Sequence, residues 1–155
     1  MIEHARREDP VECCGILGGK DETVQKSFEI KNVESSPVQF LMDPQEQFNA
    51  IEVMGDNSME MIAIYHSHPH TIPFPSEMDV QKTLDPEMPS IIISLKEKDE
   101  PVAKAFRISK EAIYLEEIEL IWKDLLFAGW GNGKVPSHSS TGNDEFQKEG
   151  RGTDP

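Results

Sequence analysis

Positive charge is scarce in this chain of 155 residues: 15 lysines and arginines stand against 29 aspartates and glutamates, a formal net charge of −14. Such a surface repels phosphate backbones and anionic headgroups alike, so neither nucleic acid nor a membrane surface is an expected partner. Long apolar runs are lacking too. No stretch approaches the roughly eighteen apolar residues of a membrane span, and the opening MIEHARREDP has no apolar core of a secretion signal, so a cytoplasmic location is expected. Cysteine is limited to Cys13 and Cys14. A disulfide between adjacent residues would be badly strained, and both are expected to be thiols. Internal repeats and heptads are also missing, and the length suits one domain with a tail rather than two domains.

What is present reads as alternating strands and helices. IEHARRE looks like the end of a helix, stopped at Asp9-Pro10 because a residue before proline is biased away from helical geometry. ECCGILGG fits a buried strand ending in a Gly18-Gly19 turn, and ETVQKSFEIKNV and VQFLM read as two more strands, the last a candidate sheet edge. Asp43-Pro44 opens a helix in which Phe48, Ile51 and Met54 recur three apart and which Gly55 is expected to close. MIAIYHSH, IIISL, VAKAFRI and AIYLEEIEL complete the strands, with a short helix over SEMDVQKTL. A domain over residues 1–120 is expected. In 121–155 an amphipathic segment precedes a polar tail too poor in apolar residues to offset its ordering entropy. Ile118, Ile121, Trp122, Leu125 and Leu126 share one helical face, expected to pack against its own domain, with an oligomer or partner contact as the alternative.

The chemistry concentrates in YHSHPHTIPFPSEMD, residues 65–79. Residues two apart on a strand project from one face, so His66 and His68 can converge on one ion while Ser67 points away. Pro69, Pro73 and Pro75 stiffen the following loop, which lowers the entropy lost in holding a third ligand nearby. Asp79 is that candidate, with Ser76 beside it one helical turn earlier. Two histidines and one aspartate leave a fourth tetrahedral position open, the arrangement of a catalytic zinc rather than a structural one. Taken alone, Ser76–Asp79 is simply a helix cap. Cys13 and Cys14 are expected to be buried thiols rather than ligands.

Glu12, His66-Ser67-His68, the seven residues Pro69–Pro75, then Ser76 and Asp79 together resemble the pattern of the JAMM metallopeptidases, the catalytic branch of the MPN (JAB) family. The resemblance covers about residues 1–120. It implies an α/β (α+β) fold similar to the cytidine deaminase architecture, a curved mixed β-sheet flanked by helices. It further implies one catalytic Zn2+ held by His66, His68 and Asp79, with Glu12 as general base and then acid, and Ser76 donating to the oxyanion. The implied substrate is a ubiquitin-like or sulfur-carrier protein, cut at its C-terminal Gly-Gly tail. The alternatives are an isopeptidase that removes such modifiers from lysines and a non-catalytic, zinc-stabilised binding module.

Overall fold

The computed structural model describes residues 1–118. Helix α1, Ile2–Glu8, stops at the Asp9-Pro10 pair as expected. Strand β1, Cys14–Lys20, starts two residues after Glu12 and runs through both glycines that were expected to turn it. The turn falls instead at Asp21-Glu22, both with positive φ, and leads into β2, Thr23–Ile30. Helix α2, Pro44–Asp56, is capped by the Asp43 carboxylate, which accepts from the amides of Gln45 and Glu46 at 2.9 and 3.0 Å. A cap of this kind stabilises a helix by about 1 kcal/mol. Gly55 does not end α2; the helix continues to Asp56, and Asn57 closes it by donating to the Val53 carbonyl.

Strand β3, Glu60–His68, terminates at the two histidines. Helix α3, Glu77–Lys82, follows, then β4, Ser90–Ser94, β5, Val102–Ile108, and β6, Ile113–Glu116. Among the described residues six strands form one sheet in the order β2-β1-β3-β4-β5-β6. Only β3 and β4 pair in parallel, which requires the crossover through α3; the other neighbours are antiparallel. The expected mixed sheet flanked by helices is therefore what the chain builds.

VQFLM is not a strand. Residues 38–42 contribute a single bridge, Asn32 to Met42, because the Asn32 side chain takes the Leu41 amide and the Gln39 carbonyl that a ladder would use. Of the stripe expected to bury α2 only Met54 faces the core, joined by Ala50, whereas Phe48 and Ile51 are 55% and 45% exposed. Ile118 is exposed, and Ile121, Trp122, Leu125, Leu126 and the tail lie outside the described residues. Among the described residues no helix is long and apolar enough to cross a membrane.

The period of two sorts the sheet into faces. Cys13, Leu17, Ala63 and Tyr65 pack with Ala5 of α1. Cys14, Ile16 and Ile30 pack with Ala50 and Met54 of α2, against Ile64. On the face that carries Ile92, Phe106 and Ile108, Val80 of α3 closes the core. Gly15 is required where it stands, since a Cβ there would meet the Tyr65 ring at 2.4 Å and the Phe28 carbonyl at 2.3 Å.

Candidate metal centre and its base

The β1–β3 ladder pairs Cys14 with His66. Carried two residues further, the antiparallel register sets Glu12 beside His68, on the face that carries His66. Ser67 continues the pairing, donating its amide to the Cys13 carbonyl at 3.0 Å and accepting the Cys13 amide on Oγ at 2.8 Å. The middle residue of HSH therefore points away from the histidines and clamps the segment that bears Glu12.

At the end of β3 the side chains of His66, His68 and Asp79 converge. Nε2 of His66 and Nε2 of His68 are 3.1 Å apart; the first lies 3.3 Å from Asp79 Oδ1 and the second 3.4 Å from Asp79 Oδ2. Donors bound tetrahedrally to zinc at about 2.0 to 2.1 Å stand about 3.3 Å from one another, so these separations fit that ion. His68 Nδ1 faces the Ile72 carbonyl at 3.2 Å, which holds the proton on Nδ1 and leaves the Nε2 lone pair directed at the cluster. Among the described residues this is the one group of three or more His, Cys, Asp or Glu able to hold a metal ion.

Burial strongly disfavours charge on His66 and lowers its pKa. Burial opposes charge on His68 as well, but the hydrogen bond and charge of Asp79 outweigh it and raise the pKa. Asp79 is likewise desolvated, yet the two imidazoles against it hold its carboxyl well below the usual carboxylate range. The aspartate is thus an anion, the charge type that a divalent cation needs in a nearly dry site.

Ser76 caps α3. Its amide and its hydroxyl both donate to Asp79 Oδ2 at 2.7 Å, and its Oγ accepts the Asp79 amide at 3.2 Å. The capping box and the candidate ligand are therefore one arrangement: the cap orients the carboxylate. Glu12 is buried, and burial pushes its pKa up to about 7, with Asp79 reinforcing the shift and His68 and Lys82 opposing it. Its Oε2 has no hydrogen-bond partner among the described residues. A carboxylate so poised is suited to exchanging protons near neutral pH.

Phe40, expected on an edge strand, instead stacks on the His66 ring with centroids 4.6 Å apart and planes 23° from parallel. A cleft of about 350 Å³ lined by Phe40, Met42, Met61, Ile64 and Met88 opens onto His66 and Asp79. A second cavity of the same volume lies between α1 and the end of β2, where Arg7 is already paired with Glu29. His70 is exposed beyond the turn at Pro69. Cys13 and Cys14 are buried, with thiols pushed up to about 11 and about 12 by burial, which keeps both protonated and makes neither a ligand.

Comparison with known proteins places these features in a family. A family model described as "Prokaryotic homologs of the JAB domain" matches residues 1–109. The solution structure of protein DSY2949 from Desulfitobacterium hafniense is similar at a TM-score of 0.74 and 39% identity, over 79% of this chain and 87% of that one. The CysO-cysteine peptidase of Mycobacterium tuberculosis is 29% identical over 123 residues, 78% of this chain and 84% of the relative. The desampylase of Pyrococcus furiosus is 42% identical over 71 residues, 46% of this chain and 51% of the relative.

Proposed function

This chain belongs to the family of prokaryotic homologs of the JAB domain, and we propose that it is a zinc-dependent peptidase acting at the C-terminal Gly-Gly tail of a ubiquitin-like or sulfur-carrier protein. The observation that carries the reading is the convergence of His66 Nε2, His68 Nε2 and the Asp79 carboxylate at tetrahedral donor spacing, with the buried Glu12 carboxylate close by. The resemblance to a CysO-cysteine peptidase over most of both chains supports the substrate class.

His66, His68 and Asp79 would hold the zinc. Zinc bound there supplies Lewis acidity, polarising a carbonyl and acidifying water at neutral pH. Glu12 takes the proton from the attacking water on its carboxylate as the new C–O bond forms, then hands it to the amine nitrogen, which departs as the C–N bond breaks and the carbonyl is restored. Ser76 serves twice. In the resting arrangement its O–H orients Asp79, and rotation of that one bond toward the substrate supplies a donor to the developing oxyanion. The apolar cleft beside Phe40, which His66 and Asp79 also line, is the groove this reading assigns to the extended tail. The catalytic domain of this reading is residues 1–120.

The relative named desampylase supports a second reading of the same site, in which the leaving amine is a lysine side chain rather than a free amino acid. Mass spectrometry of two Gly-Gly-linked substrates, one ending in an added amino acid and one joined to lysine, tests both. Cleavage by zinc-loaded wild type and not by Glu12→Gln is expected; if the wild type leaves every Gly-Gly-linked bond intact, the substrate assignment fails.

A further inference from the structure

The segment between β2 and α2 folds around one side chain. Asn32 is buried, and its amide makes four hydrogen bonds. Nδ2 donates to the Glu12 carbonyl at 2.9 Å and to the Gln39 carbonyl at 3.1 Å, while Oδ1 accepts the Glu34 amide at 3.1 Å and the Leu41 amide at 3.0 Å. Both donors and both lone pairs are in use. The segment holds Glu12 from the other side as well, because the Ser36 carbonyl accepts the Glu12 amide at 2.9 Å.

Glu12 needs this. It lies two residues before β1 begins, so it is outside the named strand, and both of its backbone groups are taken by residues 32–36. The same segment carries Phe40 onto the His66 ring, with its carbonyl accepting from Lys82 of α3 at 3.4 Å. One amide side chain therefore ties the backbone of the base to the ring that covers a ligand histidine. A displacement of about 1 Å in a reacting group can lower a rate about 100-fold, so the hold on the Glu12 backbone bears directly on turnover.

We infer that Asn32 is a positioning residue: through the Glu12 carbonyl it sets where the Glu12 carboxylate stands, and through the Gln39 and Leu41 backbone it sets Phe40 against His66. The role in turnover rests on the peptidase reading above; the structural linkage does not.

Two variants separate the possibilities. Asn32→Asp keeps the shape and the acceptor Oδ1 but loses both donations, and Asn32→Ala loses all four bonds. Zinc content and cooperative melting are expected to be retained, with kcat lowered about 10-fold or more and KM within about 3-fold. In a Glu12→Gln background, Asn32→Ala should change residual turnover by less than about 2-fold, because two residues acting through one group are not additive. Equal losses in both backgrounds, or wild-type kcat in both variants, would overturn the assignment, as would global unfolding of both variants. Should the wild type cleave no Gly-Gly substrate, the peptidase reading falls by itself and amide exchange decides the linkage. In that case Asn32→Ala should deprotect the Glu34 and Leu41 amides and shift the His66 ring proton that Phe40 shields, while Ile92 of β4 stays protected. Unchanged exchange and an unchanged His66 shift would sink it.

Discussion

On the face of β1 and β3 that packs against α1, buried polar groups meet one another: the Tyr65 hydroxyl lies 2.8 Å from His4 Nδ1, and Ser67 Oγ accepts the Cys13 amide at 2.8 Å. On the opposite face of the same two strands, Glu12 Oε2 and His66 Nδ1 are buried without a partner among the described residues. A buried polar atom left without a hydrogen bond costs about 1 to 3 kcal/mol, so a stable fold keeps few of them. Asp9 Oδ1 at the end of α1 is the third such atom, but only Glu12 among them presents a carboxylate beside the candidate metal ligands, on the face opposite the polar pairs that hold the fold together. Substitutions on the two faces should behave oppositely.

The largest effect is expected at Asp79. Asp79→Ala removes the carboxylate that both imidazoles share and should lower turnover by about 1,000-fold or more, since Lewis-acid stabilisation amounts to several kcal/mol. Steady-state kinetics with zinc in excess checks it. Glu12→Gln comes next, with turnover down about 100- to 10,000-fold and zinc retained.

Glu12→Gln also sharpens the contrast between the faces, because it should stabilise the protein while disabling it. With a folded pKa of about 7 against an ordinary value of 4.5, native Glu12 binds its proton more tightly than the unfolded chain does. Stability therefore falls as pH rises from about 4.5 to about 7 and stays low above that, by roughly 3 kcal/mol in total. The neutral glutamine escapes this penalty. Thermal melts of the zinc-free protein at pH 8 should show Glu12→Gln above wild type, and a lower melting temperature would contradict the burial argument.

Much of this was legible in sequence, for particular reasons. The period-two spacing of His66 and His68 and the capped turn Ser76–Asp79 are local signals, and local geometry suffices to read them. The apolar runs ECCGILGG and MIAIYHSH mark β1 and β3 as strands, but their pairing is not written in either run. Residues 38–42 misled because their hydropathy suits a strand, while what decides their conformation is the Asn32 side chain, six or more positions away. In α2, Met54 belongs both to the stripe of Phe48 and Ile51 and to the one it shares with Ala50, and only packing against Ile16 and Ile30 selects the second. The environment of Glu12 was invisible for the same reason: it is built by residues 32–36 and by Ser67, all distant in the chain.

Smaller effects follow in order. Ser76→Ala should lower turnover about 100-fold through the lost donor and reduce stability by about 1 kcal/mol through the lost cap, separable by comparing kcat with chemical denaturation. Tyr65→Phe on the α1 face should reverse that balance: about 1 to 2 kcal/mol of stability lost as His4 loses its partner, with turnover within about 2-fold of wild type. A large loss of turnover in Tyr65→Phe would break the division between the two faces.

The most direct measurement is zinc per chain in protein purified without added metal, for wild type and His66→Ala side by side. About one zinc in the wild type and little in the variant is the predicted result. No zinc in the wild type, and none acquired on reconstitution, would contradict the metal centre and return Ser76 and Asp79 to the role of a helix cap.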